Sequence, residues 1–216
     1  MFTGSSATGA TLAEQCGKRL IGFSAELGGK NPMVVTKDAD IAHTADGAAR
    51  AAFSNSGQLC ISIERIYVDK KIADDFAERF AAYVSTMKLS ASYDFSADMG
   101  SLASAAQIDT AEAHVEDAVA KGAKVLAGGK RRADLGPFFF EPTVLTDVTD
   151  DMVCFANETF GPVVSIYPVD STDEAIKLAN DTPYGLASYV QSASLERARQ
   201  VAAQMRSGNV YINYPA

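Results

Sequence analysis

Short apolar segments rich in β-branched residues alternate with longer amphipathic segments along most of the chain. The runs PMVVT and IERIYVD suit strands, because β-branched and aromatic side chains favour an extended backbone. Between them lies the alanine-rich stretch DADIAHTADGAARAAFSNSG, and after them apolar residues recur every fourth position at Ile72, Phe76, Phe80 and Val84. Such spacing places the side chains on one face of a helix. This alternation predicts a layered α/β domain with a mostly parallel sheet.

The same alternation extends towards both ends of the chain. A helix is predicted from a cap at Thr3 or Ser5 to about Leu20, because hydroxyl side chains accept hydrogen bonds from the free amides at a helix start. A short strand in IGFSAEL is predicted to end at Glu26. Later strands are predicted in AKVLAGG, FFFEPTVLTDV, PVVSIYPVD, LASYVQS and NVYIN, and later helices in SAAQIDTAEAHVEDAVAKG, STDEAIKLAND and SLERARQVAAQMRSG. Because NVYIN is expected to be a central strand and no strand precedes the first helix, the chain is predicted to be part of a longer protein.

The charge balance argues against nucleic acid as a partner. The 216 residues carry a formal net charge of −8, whereas phosphate binding needs clustered lysine and arginine side chains. The compact basic cluster from Lys130 to Arg132 is interpreted as a solvated surface turn. No apolar run approaches the length of about 18 residues that a membrane helix needs. The protein is therefore expected to be soluble and to bind neither nucleic acid nor membranes.

The cysteine and histidine residues predict neither disulfides nor a metal site. Three widely spaced cysteines, Cys16, Cys60 and Cys154, do not make a disulfide framework, and free thiols fit a reducing cytoplasm. His43 and His114 lie far apart, and no CxxC or HxxxH pair occurs. A metal centre is therefore not predicted.

Cys60 differs from the other cysteines because it follows the polar turn NSGQ. A cysteine is often a small buried apolar residue, and this interpretation suits Cys16 in an amphipathic helix and Cys154 in DMVCFAN. In NSGQLC a predicted helix ends, a glycine follows, and the thiol lies in a tight turn before a strand. From these residues alone, both a catalytic and a structural interpretation of Cys60 stay open.

Two acidic residues also lie next to glycines near predicted strands. Glu26 precedes Gly28 and Gly29 in ELGGKNP, and such glycines let another backbone or a ligand approach closely. A carboxylate beside apolar surface can act as a general base, although the local features alone favour an ordinary turn. In NETFGPVV, the local features favour Glu158 as a surface charge and Phe160 as a core residue.

Taken together, four motifs resemble those of the aldehyde dehydrogenase superfamily. FTGSSATG resembles its cofactor loop, ELGGKNP its general-base motif, SGQLC its nucleophile motif and ETFGPV its ribose-contacting motif. They occur in the family's order and spacing, and the resemblance covers essentially the whole chain. It implies an α/β fold, a layered parallel-sheet catalytic domain of the aldehyde dehydrogenase type that lacks most of the Rossmann-like cofactor domain. Residues 1–26 would be the tail of the cofactor-binding domain, and residues 27–216 the catalytic domain.

The resemblance also implies roles for individual residues. Cys60 would attack an aldehyde to give a thiohemiacetal, and Glu26 would activate the water that releases the acid from the later thioester. The cofactor would be NAD or NADP, with Glu158 at the nicotinamide ribose. The other residues implied at the cofactor are Gly4, Ser5, Leu27 and Phe160.

Further features follow from the same resemblance. The family carries its adenosine site and an oxyanion asparagine upstream of these motifs, so the isolated chain is expected to have little or no activity. The full-length protein is expected to be a homodimer or homotetramer. GQLCISIERIYV, GPFFFEPTVLTDV and CFANETFGPVVSIYPV are similar to segments of bacterial succinate-semialdehyde dehydrogenases, so succinate semialdehyde is the expected small aldehyde substrate. Arg65 is interpreted as structural rather than as the residue that binds the substrate carboxylate.

Three alternatives stay open. A CoA-acylating aldehyde dehydrogenase would transfer the thioester to CoA, but such enzymes commonly lack the general-base glutamate, which is present here as Glu26. A cofactor-free amidase would use Glu26, Lys30 and Cys60, and would leave FTGSSATG and ETFGPV unexplained. As a non-enzyme, the chain would be an inert isolated domain.

Overall fold

The computed structural model describes residues 1–94 and 96–214, in which helices and strands follow the predicted alternation. The strands are β1 Phe2–Thr3, β2 Ala25–Glu26, β3 Asn31–Val35, β4 Ile63–Asp69, β5 Lys124–Ala127, β6 Thr143–Thr146, β7 Val163–Val169, β8 Ala187–Gln191 and β9 Asn209–Ile212. The helices are α1 Ser6–Lys18, α2 Ile41–Phe53, α3 Ala73–Ser85, α4 Ala105–Ala120, α5 Val153–Ala156, α6 Thr172–Asn180 and α7 Leu195–Ala202. A short 3₁₀ turn, Ser54–Gly57, follows α2.

Seven strands form one sheet in the order β5-β6-β7-β4-β3-β8-β9, whereas β1 and β2 form a separate parallel pair. All neighbours in the large sheet are parallel except β5 and β6. The predicted α/β fold with a mostly parallel sheet is therefore confirmed. NVYIN, predicted as a central strand, forms an edge strand of the sheet that the described residues make. Within the described residues β9 pairs only with β8, and its side chains are exposed or half-buried.

Helices cover both faces of the sheet, so the central strands are apolar at successive positions. In β3, Met33 packs in the core cluster that contains α2 and α3, and Val34 packs in the cluster that contains α6 and α7. In β4, Ile66 and Tyr67 divide between the two layers in the same way. Strands that are buried on both faces read as continuous apolar runs, which explains why PMVVT lacks the alternation of a half-exposed strand.

Local features set the two ends of α1 and explain why α5 was missed. Ser5, one of the two predicted caps, accepts a hydrogen bond from Thr8 N at the start of α1. This helix ends at Lys18, earlier than predicted, because the chain turns at Leu20 into a left-handed conformation with φ of 56°. Helix α5 was not predicted, because its four residues are too few to show a helical period.

The parallel arrangement brings several sequence motifs to one edge of the sheet. Strand β3 begins directly after ELGGK, β4 follows SGQLC, β7 follows ETFGP and β8 follows TPYGL. Because these four strands are parallel, their amino ends lie at the same edge. In many open α/β sheets ligands bind at the carboxyl ends of the strands, whereas here the motif-bearing loops meet at the amino edge.

Gly57 closes the turn that leads to Cys60, and we expect its replacement by alanine to destabilise the protein. Its φ is +71°, and an added side-chain carbon would overlap the carbonyl group of Gly161. Together, the left-handed backbone and the overlap should lower the free energy of unfolding by about 3 kcal/mol or more. Urea denaturation of Gly57→Ala measures the loss, with Gly100→Ala, which has open space around it, as the control. Equal unfolding free energies for the two variants would contradict the prediction.

Candidate active site

Asn31, the first residue of β3, joins three chain segments at the amino edge. Its Nδ2 atom donates hydrogen bonds to the carbonyl oxygens of Cys60 and Ser62, both at 2.8 Å, and its Oδ1 atom accepts one from Ala187 N at 3.1 Å. The backbone of the candidate nucleophile is thus held by a buried side chain of the neighbouring strand. Sequence reasoning did not single out Asn31, although a polar amide next to an apolar strand was a signal that it is buried and hydrogen-bonded.

Gly28 and Gly29 leave room for two groups that a larger residue would exclude. Gly29 N donates a hydrogen bond to Glu158 Oε1 at 2.8 Å, and a side chain on Gly28 would overlap the Glu158 carboxylate. A side-chain carbon on Gly29 would lie 2.5 Å from the carbonyl oxygen of Cys60. The prediction that these glycines permit close approach is confirmed, and the approaching groups are the ETFG glutamate and the cysteine loop.

A buried ion pair lies behind this contact. Lys30 Nζ is 2.5 Å from Glu64 Oε2, and the two side chains are 2% and 3% exposed. Glu64 also accepts hydrogen bonds from Thr159 N and Phe160 N, both at 2.9 Å. Charges buried this deeply need opposite charges and hydrogen-bond donors as partners, and Glu64 has both. Sequence reasoning did not assign Glu64; the available signal was a glutamate within the otherwise apolar strand IERIYVD.

Thr159 is held from two further sides. His114 Nδ1 lies 3.0 Å from Thr159 Oγ1, and Gln107 Nε2 donates a hydrogen bond to the Thr159 carbonyl oxygen at 2.8 Å. The next residue, Phe160, has a φ of 49°, which a bulky residue rarely adopts without support from its surroundings. Side chains of α4 and β4 therefore fix the segment that carries Glu158.

The Glu158 carboxylate is half-buried at the amino edge. Burial raises its pKa above the ordinary value of a glutamate, whereas the hydrogen bond from Gly29 N acts in the opposite direction. Its second oxygen, Oε2, accepts no hydrogen bond from the described residues. The carboxylate therefore offers a free acceptor to a ligand that carries hydroxyl groups.

The three cysteines are free thiols in different surroundings. Cys154 is buried, and burial raises its pKa, which disfavours the reactive thiolate. Cys16 is half-buried in the last turn of α1, a helix that follows β1 of the separate strand pair. Cys60 is half-buried in the loop between the 3₁₀ turn and β4. Cys60 thus combines partial access with a fixed backbone at the edge where the motifs meet.

Glu26 lies outside the large sheet, on β2. Its backbone is held by β1, because Thr3 pairs with Glu26 and Gly4 N donates a hydrogen bond to the Glu26 carbonyl oxygen at 3.1 Å. Glu26 is exposed and borders a cleft of about 310 Å³. The lining of this cleft also includes Ser6, Leu27, Gly28, Tyr184 and Leu186.

The predicted site residues therefore form two neighbouring groups. The first lies around β2 and consists of Gly4, Ser5, Glu26 and Leu27. The second lies at the amino edge and consists of Cys60, Glu158 and Phe160. The backbone of Gly28 and Gly29 connects the groups. Among the described residues, the side chains of Glu26 and Cys60 form no hydrogen bond with each other.

Arg65 has a structural role, as predicted. Its guanidinium donates hydrogen bonds to the carbonyl oxygens of Lys30 at 2.9 Å and Ala179 at 3.1 Å, and to the Tyr67 hydroxyl at 3.1 Å. These acceptors tie β4 to the ELGGK segment and to α6. The buried guanidinium is therefore engaged by the protein itself.

Within residues 1–94 and 96–214, no three or more His, Cys, Asp or Glu side chains cluster as metal ligands would. Over the same residues, no helix combines the length and the apolar character that crossing a bilayer requires.

His114 gives the stability of the protein a pH dependence that we expect to be measurable. Burial and, second, the charge of Lys30 lower the pKa of His114, while Glu64 and Asp117 act in the opposite direction. Because the unfolded chain binds the proton more readily, this contribution to stability is complete above the unfolded value of about 6.5 and decreases as the pH falls below it. The decrease is at most about 1.4 kcal/mol per pH unit.

Denaturant unfolding between mildly acidic and mildly alkaline pH tests this expectation. His114→Asn removes the titrating ring, so its unfolding free energy should fall less than that of the wild type on acidification. His43→Asn, at an exposed position of α2, is the matched control and should follow the wild type. Parallel curves for the wild type and His114→Asn would show that His114 does not carry the effect.

Known proteins resemble this chain over essentially its whole length. The profile of the Aldehyde dehydrogenase family matches residues 1–216. A protein of Mycobacterium tuberculosis named "Putative succinate-semialdehyde dehydrogenase [NADP(+)] 2" and a Mycolicibacterium smegmatis protein named "Putative succinate-semialdehyde dehydrogenase [NADP(+)]" are each 62% identical over 213 residues. Those residues are 99% of this chain and 41% of either relative, so the chain spans about two-fifths of the relatives' length.

A solved structure shows the same fold. The NAD+ complex of an aldehyde dehydrogenase from Bacillus cereus matches with a TM-score of 0.94 and 37% sequence identity, over 100% of this chain and 44% of that one. Sequence, fold and the juxtaposition of the motifs lead to one conclusion: the chain belongs to the aldehyde dehydrogenase family.

Proposed function

We propose that residues 27–216 form the catalytic domain of an enzyme that oxidises succinate semialdehyde to succinate, and that residues 1–26 belong to its cofactor-binding domain. Family membership supports the reaction class. The names of the relatives at 62% identity support the substrate and NADP, and the NAD+ complex of the similar structure makes NAD the second candidate. The observation that carries the proposal is the position of Gly29, which adjoins both the Cys60 carbonyl and the Glu158 carboxylate.

The residues at the amino edge suit a nicotinamide dinucleotide. Glu158 has a free acceptor oxygen, which is the chemistry needed to bind ribose hydroxyl groups. Leu27 would orient the carboxamide through its carbonyl, and Phe160 would pack nearby. Gly4 and Ser5, at the start of α1, would lie against the cofactor. When bound, the nicotinamide takes up the hydride that the adduct on Cys60 loses.

Cys60 and Glu26 would share the covalent chemistry. The Cys60 thiolate attacks the aldehyde carbon, so that a C–S bond forms and the carbonyl oxygen becomes the alkoxide of a thiohemiacetal. After oxidation, a thioester remains on Cys60. Glu26 takes a proton from water as the water oxygen attacks the thioester carbon. The C–S bond then breaks, the acid leaves, and the thiolate is restored.

Two rival reactions are less well supported by the site. In the amidase alternative Lys30 would be catalytic, but its ammonium group is buried and paired with Glu64. In the CoA-acylating alternative no general base would be needed, yet Glu26 lies exposed at a cleft beside the candidate cofactor residues.

The proposal extends to the whole protein. Its substrate would be a small aldehyde, and it would act in the cytoplasm as a homodimer or homotetramer. The assembly rests on the family resemblance, and the compartment is supported by three free thiols. We also propose that the 216 residues alone turn over little aldehyde, because the family's adenosine site and oxyanion asparagine lie upstream of the motifs found here.

Cys60→Ala is expected to abolish aldehyde oxidation, because alanine cannot form the covalent adduct. The test uses a chimera in which this chain replaces the matching segment of the Mycolicibacterium smegmatis relative. Turnover of succinate semialdehyde is followed by the absorbance of the reduced nicotinamide, with NADP and NAD in separate reactions. Cys16→Ala is the control and should retain full turnover, because Cys16 lies in the last turn of α1 and belongs to none of the four motifs.

The outcomes separate the parts of the proposal. Turnover that persists in Cys60→Ala would exclude Cys60 as the nucleophile. Turnover with other aldehydes but not with succinate semialdehyde would exclude the substrate and retain the reaction class. A chimera that oxidises no aldehyde, while the unmodified relative does, would contradict the proposed function.

Glu26→Gln is expected to slow the release of the acid rather than the oxidation step. Loss of a general base typically lowers the rate by about 10²- to 10⁴-fold, and this loss should appear in steady-state turnover. In rapid-mixing experiments, the first equivalent of reduced nicotinamide should still form as a burst. Glu14→Gln, an exposed glutamate on α1, is the matched control. Steady-state turnover of Glu26→Gln equal to that of the control would exclude Glu26 as the base.

A further inference from the structure

Glu64 lies at the centre of the contacts between two motifs, although it belongs to neither. Its Oε2 atom is 2.5 Å from Lys30 Nζ, in the ELGGK segment. Thr159 N donates to both carboxylate oxygens, at 3.0 Å and 2.9 Å, and Phe160 N donates to Oε1 at 2.9 Å. One buried carboxylate therefore receives donors from both sides of the candidate site.

These contacts close a ring of interactions around Glu158. The backbone leads from Gly29 to Lys30, the ion pair leads from Lys30 to Glu64, and Glu64 holds the amide of Thr159. Glu158, which precedes Thr159, then returns to Gly29 through the 2.8 Å hydrogen bond from Gly29 N. The direction of the Glu158 side chain thus depends on where Glu64 holds the amide next to it.

The backbone of the held segment would not keep this shape unaided. Phe160 has a left-handed φ of 49°, and such a conformation persists in a bulky residue only where its surroundings over-determine it. A buried ion pair contributes little net stability, because the cost of removing both charges from water offsets much of their attraction. The geometry that the pair imposes is therefore its main effect here.

We propose that Glu64 is a positioning residue that directs the Glu158 carboxylate towards the ribose of the dinucleotide. This inference rests on the proposed function, because Glu158 is the ribose contact only in that function. Glu64 itself is only 3% exposed, so its carboxylate is not available to a ligand. It acts through the amides of Thr159 and Phe160.

Two double variants test the role without leaving a buried unpaired charge. Lys30→Met with Glu64→Leu removes the ion pair and every acceptor for the two amides. Lys30→Met with Glu64→Gln removes the same charges but keeps an acceptor oxygen at position 64. The two variants lose the same charges, and only the glutamine keeps an acceptor oxygen for the two amides, so a difference between them does not report on the lost charges.

Amide hydrogen exchange on this chain gives the first measurement. Gly29 N donates its hydrogen bond to Glu158 rather than to Glu64, and both variants carry the same change at the adjacent Lys30, so a difference between them reports on the position of Glu158. We expect Gly29 exchange to accelerate about tenfold or more in the leucine variant and to stay near the wild-type rate in the glutamine variant. Asp38→Asn, which loosens a different, half-buried network, controls for a general loss of stability. Unchanged Gly29 exchange in the leucine variant would overturn the proposal.

Kinetics of the chimera give the second measurement. The leucine variant should raise the KM for the dinucleotide about tenfold, because misplacement of a positioned group by about 1 Å can cost up to about 100-fold. The glutamine variant should recover most of it, and the rate of Cys60 alkylation by iodoacetamide should stay unchanged in both. An unchanged KM in the leucine variant, despite faster Gly29 exchange, would also overturn the role.

Failure of the proposed function is distinguishable from failure of this inference. If the wild-type chimera oxidises no aldehyde, the proposed function fails, and the role of Glu64 at the ribose fails with it. In that case the exchange data on Gly29 still decide whether Glu64 positions Glu158. If the wild-type chimera is active and the leucine variant has the same Gly29 exchange and the same KM as the wild type, only the Glu64 proposal fails.

Discussion

The buried ion pair of Lys30 and Glu64 specifies the register between neighbouring strands, which the apolar pattern of the sheet leaves open. Strands β3 and β4 are apolar on both faces, so a shift of one residue between them would exchange one apolar side chain for another. The charges allow no such exchange, because separating a buried pair costs about 3 to 5 kcal/mol. At the amino edge the ion pair therefore fixes the position of the ETFG segment, whereas the buried Asn31 fixes that of the cysteine loop.

Asn31 and Arg65, like the ion pair, hold neighbouring chain segments in fixed positions. Asn31 fixes the carbonyl groups of Cys60 and Ser62, and Arg65 binds the carbonyl of Lys30. Each of these buried side chains satisfies backbone groups of a neighbouring segment that would otherwise lack partners. Close approach of the segments in turn requires Gly28 and Gly29, because any side chain there would overlap Glu158 or Cys60. The glycines and the buried polar residues are thus two parts of one arrangement.

The fold and the catalytic motifs could be predicted more fully than the contacts that hold them. Apolar runs and helical spacing indicated the strands and helices of the large sheet, because both patterns are local. The four residues of α5 carried too short a pattern, and the edge position of β9 depends on what packs beside NVYIN. The contacts of Glu64, His114 and Asn31 could not be predicted from the sequence. A polar residue in an apolar segment indicates that it has a buried partner, but it does not indicate which residue that partner is.

By itself, the sequence determined the α/β class, the mostly parallel sheet and the motif order that identified the family, because periodicity and short motifs are properties of neighbouring residues. Tertiary structure alone decided that Glu64 would meet Thr159 and Phe160, and that Glu158 would lie against Gly29. These partners are distant in the chain. They meet because parallel strands start at a common edge, and the cost of burying polar groups without partners selects the register that joins them.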